Sequence, residues 1–292
     1  MRSEFITPHV SMVRMTLSER QKAWLFIAPA LALVVLFYFT PLVRVLWVSV
    51  SEPVLGFDNY AMLFTSAPIQ RVLITTARIC IFTTAVTLVL AYLVAYVLTH
   101  ASPAGQRLMM IGVLLPLWMS VLVRAFAWVT LLRREGLINK ALLSLGLIDE
   151  PLGLMWNEVG VTIGMVHYML PLGILPLWAA MRSIDNRLLA ASRGLGAGSL
   201  QTFLRVFLPL SLPGLIGAGV LVFIFSLGFF ITPAILGGGK IIMVAEYINH
   251  TVHESLRWGV GTMLATTLIA VIFLLLFALS RIVDLRTLFG AK

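Results

Sequence analysis

Long apolar stretches, separated by short polar segments, dominate the chain. Windows of about 19 residues locate these stretches near 23–50, 72–99, 108–132, 160–181, 206–236 and 260–280. Each exceeds the 18 or so apolar residues that mark a membrane-spanning helix. The runs are continuously apolar, whereas the strands of a membrane barrel alternate at every second residue. The pattern therefore predicts an all-α, polytopic membrane protein with six transmembrane helices.

The distribution of charge predicts how these helices are oriented. Charged residues make up 11% of the chain, and the formal net charge is +9. If the N-terminus is cytoplasmic, the cytoplasmic segments hold twelve Lys or Arg and four acids, while the outer segments hold six basic residues and eight acids. The positive-inside rule then predicts that both termini are cytoplasmic. Orientation explains the positive charge better than binding to nucleic acid does.

Segment boundaries follow from the same pattern. Residues 1–22 are predicted to be a cytoplasmic N-terminal segment, 23–281 the six-helix transmembrane domain, and 282–292 a cytoplasmic tail. The first span lacks a small-residue cleavage site, so we expect it to be an uncleaved helix. The single cysteine, Cys80, is expected to pack inside the second span, and one cysteine cannot form a disulfide within the chain.

A polar loop between spans four and five has an unusual composition. Ser183 and Asp185 can begin a short helix, and glycines at Gly196 and Gly198 can end it. Small side chains in between would let the surface of another protein approach the backbone closely. The pattern alone favours protein docking and a simple interfacial amphipathic connection equally.

This loop also carries a family resemblance. The stretch AASRGLGAGSLQTFLRVFLP resembles the cytoplasmic coupling loop of ABC importer permeases, whose signature reads Glu-Ala-Ala, a glycine and then Ile-x-Leu-Pro. Ala190 stands where the usual glutamate would be, which leaves the docking contacts undetermined. The other matching positions are Ala191, Ser192, Gly196, Val206, Leu208 and Pro209.

The resemblance also rests on LLPLWMSVLVRAFAWVTLL, REGLINKALLSLGLID and VHYMLPLGILPLW, and is strongest to permeases of the spermidine/putrescine type. That group is similar to importers of iron complexes, thiamine, opines and aminophosphonates. The resemblance implies a type I ABC importer permease of the bacterial inner membrane, with its coupling loop at 183–205. The implied coupling residues are Ala190, Ala191, Ser192, Gly196, Ala197, Leu208 and Pro209.

Such a permease is not itself an enzyme, and the resemblance implies several partners. They are a second permease subunit, in a heterodimer, two cytoplasmic ATPase subunits that bind ATP and Mg²⁺, a periplasmic substrate-binding protein and membrane lipid. The GGGK at Gly237 to Lys240 lacks the spacing of a phosphate-binding loop, so we expect no cofactor in this chain. The HTVHE at His250 to Glu254 lacks the spacing of a zinc motif, so neither a metal nor a catalytic residue is expected.

An ion-coupled secondary transporter is the alternative function. Such carriers keep acids at membrane depth and show inverted repeats, and neither is evident in the predicted spans. Polar and aromatic residues in spans three to five form a predicted substrate pathway. For Arg124, a functional role, in which it lines the pathway or meets a partner, and a structural role, in which it snorkels outward or pairs with an outer acid, are equally compatible with the sequence. Arg78 is expected to snorkel or to contact a neighbouring helix. The predicted pathway residues are Trp118, Ser120, Arg124, His167, Tyr168, Ser226, Phe229 and Phe230.

The expected cargo is a small polar solute of the polyamine, opine or aminophosphonate class. Polyamine-type relatives tend to carry an acid shortly before the glycines that close span five, where this chain has Ala234. Arg124 and His167 offer an anion or zwitterion a partner that a cation lacks. We therefore expect a cargo that carries a carboxylate or phosphonate, with polyamines as the alternative.

Orientation can be tested with single cysteines. A cysteine at Asn157 should react with a membrane-impermeant maleimide from the periplasmic side, and a cysteine at Asn186 should react from the cytoplasmic side, because the basic segments lie inside. Intact cells and inverted vesicles provide the two sides, and the unmodified chain with Cys80 is the control. Labelling of both positions from the same side would contradict this topology.

Overall fold

The computed structural model describes residues 19–282, and the remainder of both predicted terminal segments lies outside the described residues. All regular elements between Glu19 and Ile282 are helices, and this part of the chain contains no strand. Two π-helical turns, Val35–Phe39 and Phe203–Phe207, occur in it. The helices are α1 (Glu19–Val34), α2 (Thr40–Ser51), α3 (Asp58–Thr65), α4 (Ala67–His100), α5 (Pro103–Trp118), α6 (Val121–Leu132), α7 (Leu137–Ser144), α8 (Glu158–Arg182), α9 (Asn186–Gly194), α10 (Ser199–Thr202), α11 (Leu208–Leu227), α12 (Ile231–Gly237), α13 (Val244–His253) and α14 (Trp258–Ile282).

The chain divides into two compact units, Met1–Trp47 and Val48–Lys292. The described part of the first unit is helical and includes the π-helical turn, next to which the Thr40 hydroxyl donates to the Val35 carbonyl over 3.3 Å. All the predicted site residues belong to the second unit.

Five helical stretches are long and apolar enough to cross a membrane, and a sixth span is present if one bent helix pair counts as a single span. The bent pair is Pro103–Trp118 with Val121–Ser144, at an angle of 100°. The five are Phe26–Ser51, Ala67–His100, Glu158–Arg182, Ser199–Leu227 and Trp258–Ala278. An all-α membrane fold with five or six spans is thereby confirmed, against six predicted.

Two predicted spans differ in their limits from the observed helices. Span three is broken at Met119 and Ser120, where the backbone is extended. Pro116 lies in the last turn of α5 and has no N–H to bond with the carbonyl of the preceding turn, which weakens the helix next to the break. Span five ends at Leu227 instead of continuing to residue 236, and Gly228, a poor helix former, follows it.

Helices α4, α8 and α11 form the centre of the second unit, and small residues let them approach closely. A methyl group added at Gly214 of α11 would overlap the side chain of Ala180 in α8. At Gly173 of α8, an added carbon would lie 3.2 Å from the Ala91 side chain in α4. Membrane helices associate largely through such close packing, because lipid is as apolar as their side chains.

One buried cluster ties the loop after α8 to this three-helix centre. It contains Leu189 of α9 and Phe207 of the second π-helical turn, together with Leu98 and Leu177 of the long helices. Tyr96 packs edge-on against Phe207, with ring centroids 5.3 Å apart. The end of the bundle that carries α9, here called the α9 end, is therefore firmly packed.

Polar side chains organise the opposite end, here called the α13 end. The backbone N–H of Val244, at the start of α13, donates to the Thr76 hydroxyl of α4 over 2.8 Å. Buried Asn139 of α7 donates to the carbonyls of Arg133 and Leu152 over 3.1 and 3.0 Å. It also accepts from the Leu152 N–H over 2.9 Å, so a single side chain fixes the loop that leads towards α8.

The close approach at Gly214 predicts a stability difference between two glycine substitutions. Gly214→Ala should destabilise the protein by about 1–3 kcal/mol, because the added methyl group overlaps the side chain of Ala180. Gly112→Ala in α5 is the matched control, since an added carbon there meets no atom within 4 Å. Both changes gain the same helix propensity, so melting temperatures of the purified variants isolate the packing effect. Equal melting temperatures would contradict this account of the centre.

Candidate functional site

A buried arginine lies where α6 meets α8. The Arg124 side chain is only 6% exposed, and its guanidinium lies 4.4 Å from the centre of the Tyr168 ring. Its Nε and Nη1 atoms are buried and have no hydrogen-bond partner among the described residues. A guanidinium stacked on an aromatic face keeps its in-plane N–H donors free for other partners.

The depth of the Arg124 charge along the bundle follows from the position of its neighbour Tyr168. Tyr168 is the eleventh of the 25 residues of α8, which places it about 15 Å along the helix and close to its midpoint. Arg124 therefore does not snorkel outward, and it makes no ion pair with an acid in the described part of the chain. Ionisable groups at membrane depth are expensive and commonly mark a transport pathway.

A second pair of residues extends the same contact between the helices. Trp128 lies four residues after Arg124, on the same face of α6, and its indole N–H donates to Nδ1 of His167 over 3.2 Å. Because an indole can only donate, Nδ1 must accept, which leaves the proton of a neutral imidazole on Nε2. His167 thus presents an N–H donor from the same helix as Tyr168.

The chain after α11 completes an aromatic surface. Phe229 lies beyond the end of α11, and its ring centroid is 4.5 Å from that of Tyr168. Ser226, near the end of α11, is fully buried, and its hydroxyl has no hydrogen-bond partner among the described residues. The structure therefore brings both Arg124 and Phe229 into contact with one tyrosine.

The other predicted pathway residues lie at exposed positions. Trp118, the last residue of α5, is 86% exposed, and Ser120 is exposed at the adjoining break. Phe230 is also exposed, unlike the half-buried Phe229 beside it. Trp128, by contrast, was not predicted, although its i+4 spacing from Arg124 was a usable signal. It belongs with Arg124, His167, Tyr168 and Phe229 to one set of contacting residues, here called the Arg124 cluster.

Two acidic residues have surroundings in the bundle that the sequence alone does not predict. Glu158, in the first turn of α8, forms an ion pair with Arg78 of α4, which confirms the interhelical alternative for that arginine.

Glu246, in the first turn of α13, is half-buried, and its Oε2 atom has no hydrogen-bond partner among the described residues. Burial raises the pKa of Glu246, while a hydrogen bond from the Met243 backbone and the nearby His250 oppose that rise.

At the α9 end, the predicted coupling loop forms two short helices. Asp185 caps α9 by accepting from the Arg187 N–H over 2.8 Å, and Gly196 ends the turn with a φ of +87°, which favours glycine. The Ser192 hydroxyl hydrogen-bonds the Thr202 hydroxyl over 3.2 Å, so Ser192 joins α9 to α10.

The remaining predicted coupling residues leave an accessible surface on this loop. Ala190, Ala191 and Gly196 are exposed, and Leu195, which was not predicted, is 90% exposed. Ala197 and Leu208 are half-buried, and Pro209 is exposed at the start of α11. The loop is thus anchored by Leu189 on one side and presents small and apolar groups on the other. We name this exposed set, Ala190, Ala191, Gly194, Leu195 and Gly196, the α9 surface.

Comparison with solved structures identifies the fold. A bacterial ABC transporter involved in the import of the acidic polysaccharide alginate matches with a TM-score of 0.67 at 20% identity, covering 89% of this chain and 96% of that chain. A bacterial alginate ABC transporter in complex with an alginate pentasaccharide-bound periplasmic protein matches with a TM-score of 0.72 at 19% identity, covering 88% and 93%.

Sequence comparison identifies the family. The spermidine/putrescine transport system permease protein PotB of Haemophilus influenzae is 33% identical over 224 residues, which are 77% of this chain and 78% of that protein. PotB of Escherichia coli K12 is 32% identical over 224 residues, covering 77% and 81%. Residues 87–288 match the family described as binding-protein-dependent transport system inner membrane component. The chain therefore belongs to that family and is a permease subunit of an ABC importer.

Proposed function

We propose that this permease carries a small polar solute from the periplasm to the cytoplasm by alternating access. The observation that carries this proposal is the α9 surface. Its residues are exposed and mostly small, and α9 is anchored to the long helices through Leu189. An ATPase subunit docks there, and the two ATPase subunits of the assembly supply the energy. This arrangement places the α9 end and both chain termini in the cytoplasm, in agreement with the charge distribution.

The assembly that we propose contains two permeases, two ATPases and a binding protein. A second, different permease subunit pairs with this chain, and a periplasmic binding protein delivers the solute at the α13 end. ATP and Mg²⁺ are bound by the ATPase subunits. The family description, which names binding-protein-dependent transport, supports the binding protein.

The packing of the α9 end suggests how ATPase movement reaches the membrane. Leu189 of α9 and Phe207 share one buried cluster with α4, α8 and α11. Closure of the ATPases would therefore displace the packed long helices along with α9, because densely packed elements transmit a displacement as a unit. The same displacement would move α8, which carries His167 and Tyr168.

The cargo has two candidate classes, each supported by a different observation. Spermidine and putrescine are named for the PotB relatives. The Oε2 atom of Glu246, which has no partner within residues 19–282, offers a cation one acceptor at the α13 end. A solute with a carboxylate or phosphonate, as in opines and aminophosphonates, suits the buried Arg124. We favour this acidic class because the guanidinium of Arg124 and the N–H donor of His167 lie together beside the middle of α8.

Docking on the α9 surface predicts a loss of ATPase binding when bulk is added there. Gly194→Trp should weaken the association by about 1–3 kcal/mol, or about 5- to 150-fold. An indole at this exposed helical position meets no atom of the chain near its attachment point but would collide with a docked partner. The measurement is recovery of the ATPase subunits with the tagged permease.

Gly196→Asn is the matched control for this test. Asparagine tolerates the positive φ of Gly196 better than most residues, and its side chain is small. The control should therefore retain more of the ATPase than Gly194→Trp does. A bulky Gly196→Trp should also reduce docking, although the positive φ itself strains that variant. Full ATPase recovery and full transport by Gly194→Trp would contradict docking at this surface.

A further inference from the structure

We propose that the Arg124 guanidinium directly binds an acidic group of the transported solute, a carboxylate, phosphonate or phosphate, while the solute crosses the membrane. This inference rests on the proposed import function and specifies its substrate class. Tyr168 and His167 complete the site. Tyr168 holds the guanidinium from one face, and His167 supplies a second donor from α8.

Arg124 is buried and lacks an acceptor among the described residues. A buried charge without a partner is strongly unfavourable, and such charges in proteins are almost always paired. The described residues give Nε and Nη1 no acceptor, and the stacked Tyr168 ring compensates only part of the charge. An acceptor from outside the described residues is therefore needed in the working assembly.

The neighbouring groups indicate that the missing acceptor is an anion. Near Arg124, α8 presents the phenol ring of Tyr168 and the imidazole of His167, whose Nδ1 already accepts from Trp128. Its free nitrogen is then a donor, so it adds to the attraction for an anion. Arg124 also lies in the first turns of α6, where the positive end of the helix dipole favours negative charge.

The depth of Arg124 in the membrane indicates that the anion belongs to a solute and not to a lipid. The guanidinium lies beside the midpoint of α8, whereas lipid headgroups lie about 15 Å from the bilayer centre. A small solute that passes between the helices reaches this depth during every transport cycle.

The same charge disfavours a purely cationic solute. An ammonium group beside Arg124 would meet a like charge in a medium of low dielectric constant, where repulsion is only weakly screened. Glu158 would not offset this, because it already pairs with Arg78. A solute that carries both an acid and an amine would meet Arg124 with its acid.

Binding of small anions to the assembled importer tests this site. The complete complex, purified in lipid nanodiscs, is titrated with methylphosphonate and with acetate, and its melting temperature is compared with that in sodium chloride of equal ionic strength. The wild type should be stabilised saturably by at least one of these anions beyond the effect of chloride. Arg124→Gln should weaken this binding by about 10- to 100-fold, the scale of one lost charge-assisted hydrogen bond.

Two further variants serve as controls for charge and for folding. Lys140→Gln removes an exposed positive charge on α7 and should bind the anions as the wild type does. Arg124→Lys keeps the charge and should retain part of the binding. It therefore remains informative if Arg124→Gln fails to assemble.

Three results would overturn the proposal. One is a wild type that responds to neither anion beyond the chloride effect, and another is an Arg124→Gln complex that binds the anions as tightly as the wild type. The third combines two observations: the wild type shows no anion response, and the Arg124→Gln complex loses the second permease. That result would mean that the second permease supplies the acceptor for Arg124. Recovery of the ATPase subunits is scored in the same preparations, so a failure of the import function itself is seen separately.

Discussion

Close contact between α4, α8 and α11 is the interaction on which the rest of this structure depends. Lipid gives no hydrophobic driving force for helices to associate, so the three helices must fit closely enough to gain dispersion and to exclude lipid. Glycine and alanine at positions such as Gly173, Gly214 and Ala91 permit that fit. The resulting centre connects the α9 surface with the Arg124 cluster through continuously packed helices.

Because of this packing, the presence or absence of a partner for a polar group within the bundle indicates the role of that group. A centre that is closely packed and surrounded by lipid has little water to satisfy a stray donor, so each polar side chain needs a partner or a function. Arg78 and Trp128 find partners in Glu158 and His167. Arg124 keeps two partnerless nitrogens among the described residues, which distinguishes it from the structural pairs around it.

Sequence analysis predicted the features that depend on local pattern. Apolar run length gave the number of spans, and glycines with a capping aspartate gave the helix before Gly196. The break before α6 was missed because the residues on both sides of Met119 are equally apolar, so hydropathy does not change there. The Arg78–Glu158 pair was not assigned because its members are 80 residues apart in sequence and meet only through the packing of α4 on α8.

The central claim is that movement at the α9 end changes access to the Arg124 cluster. Reaction of a cysteine at Ser226 with a membrane-impermeant maleimide tests it most directly, because Ser226 is fully buried and lies three residues before Phe229. With Cys80 replaced by alanine, the assembled importer is labelled from the periplasmic side. Labelling is predicted to be slow without nucleotide and fast when ATP and the loaded binding protein trap the closed ATPases. Equal rates in the two states would contradict the account.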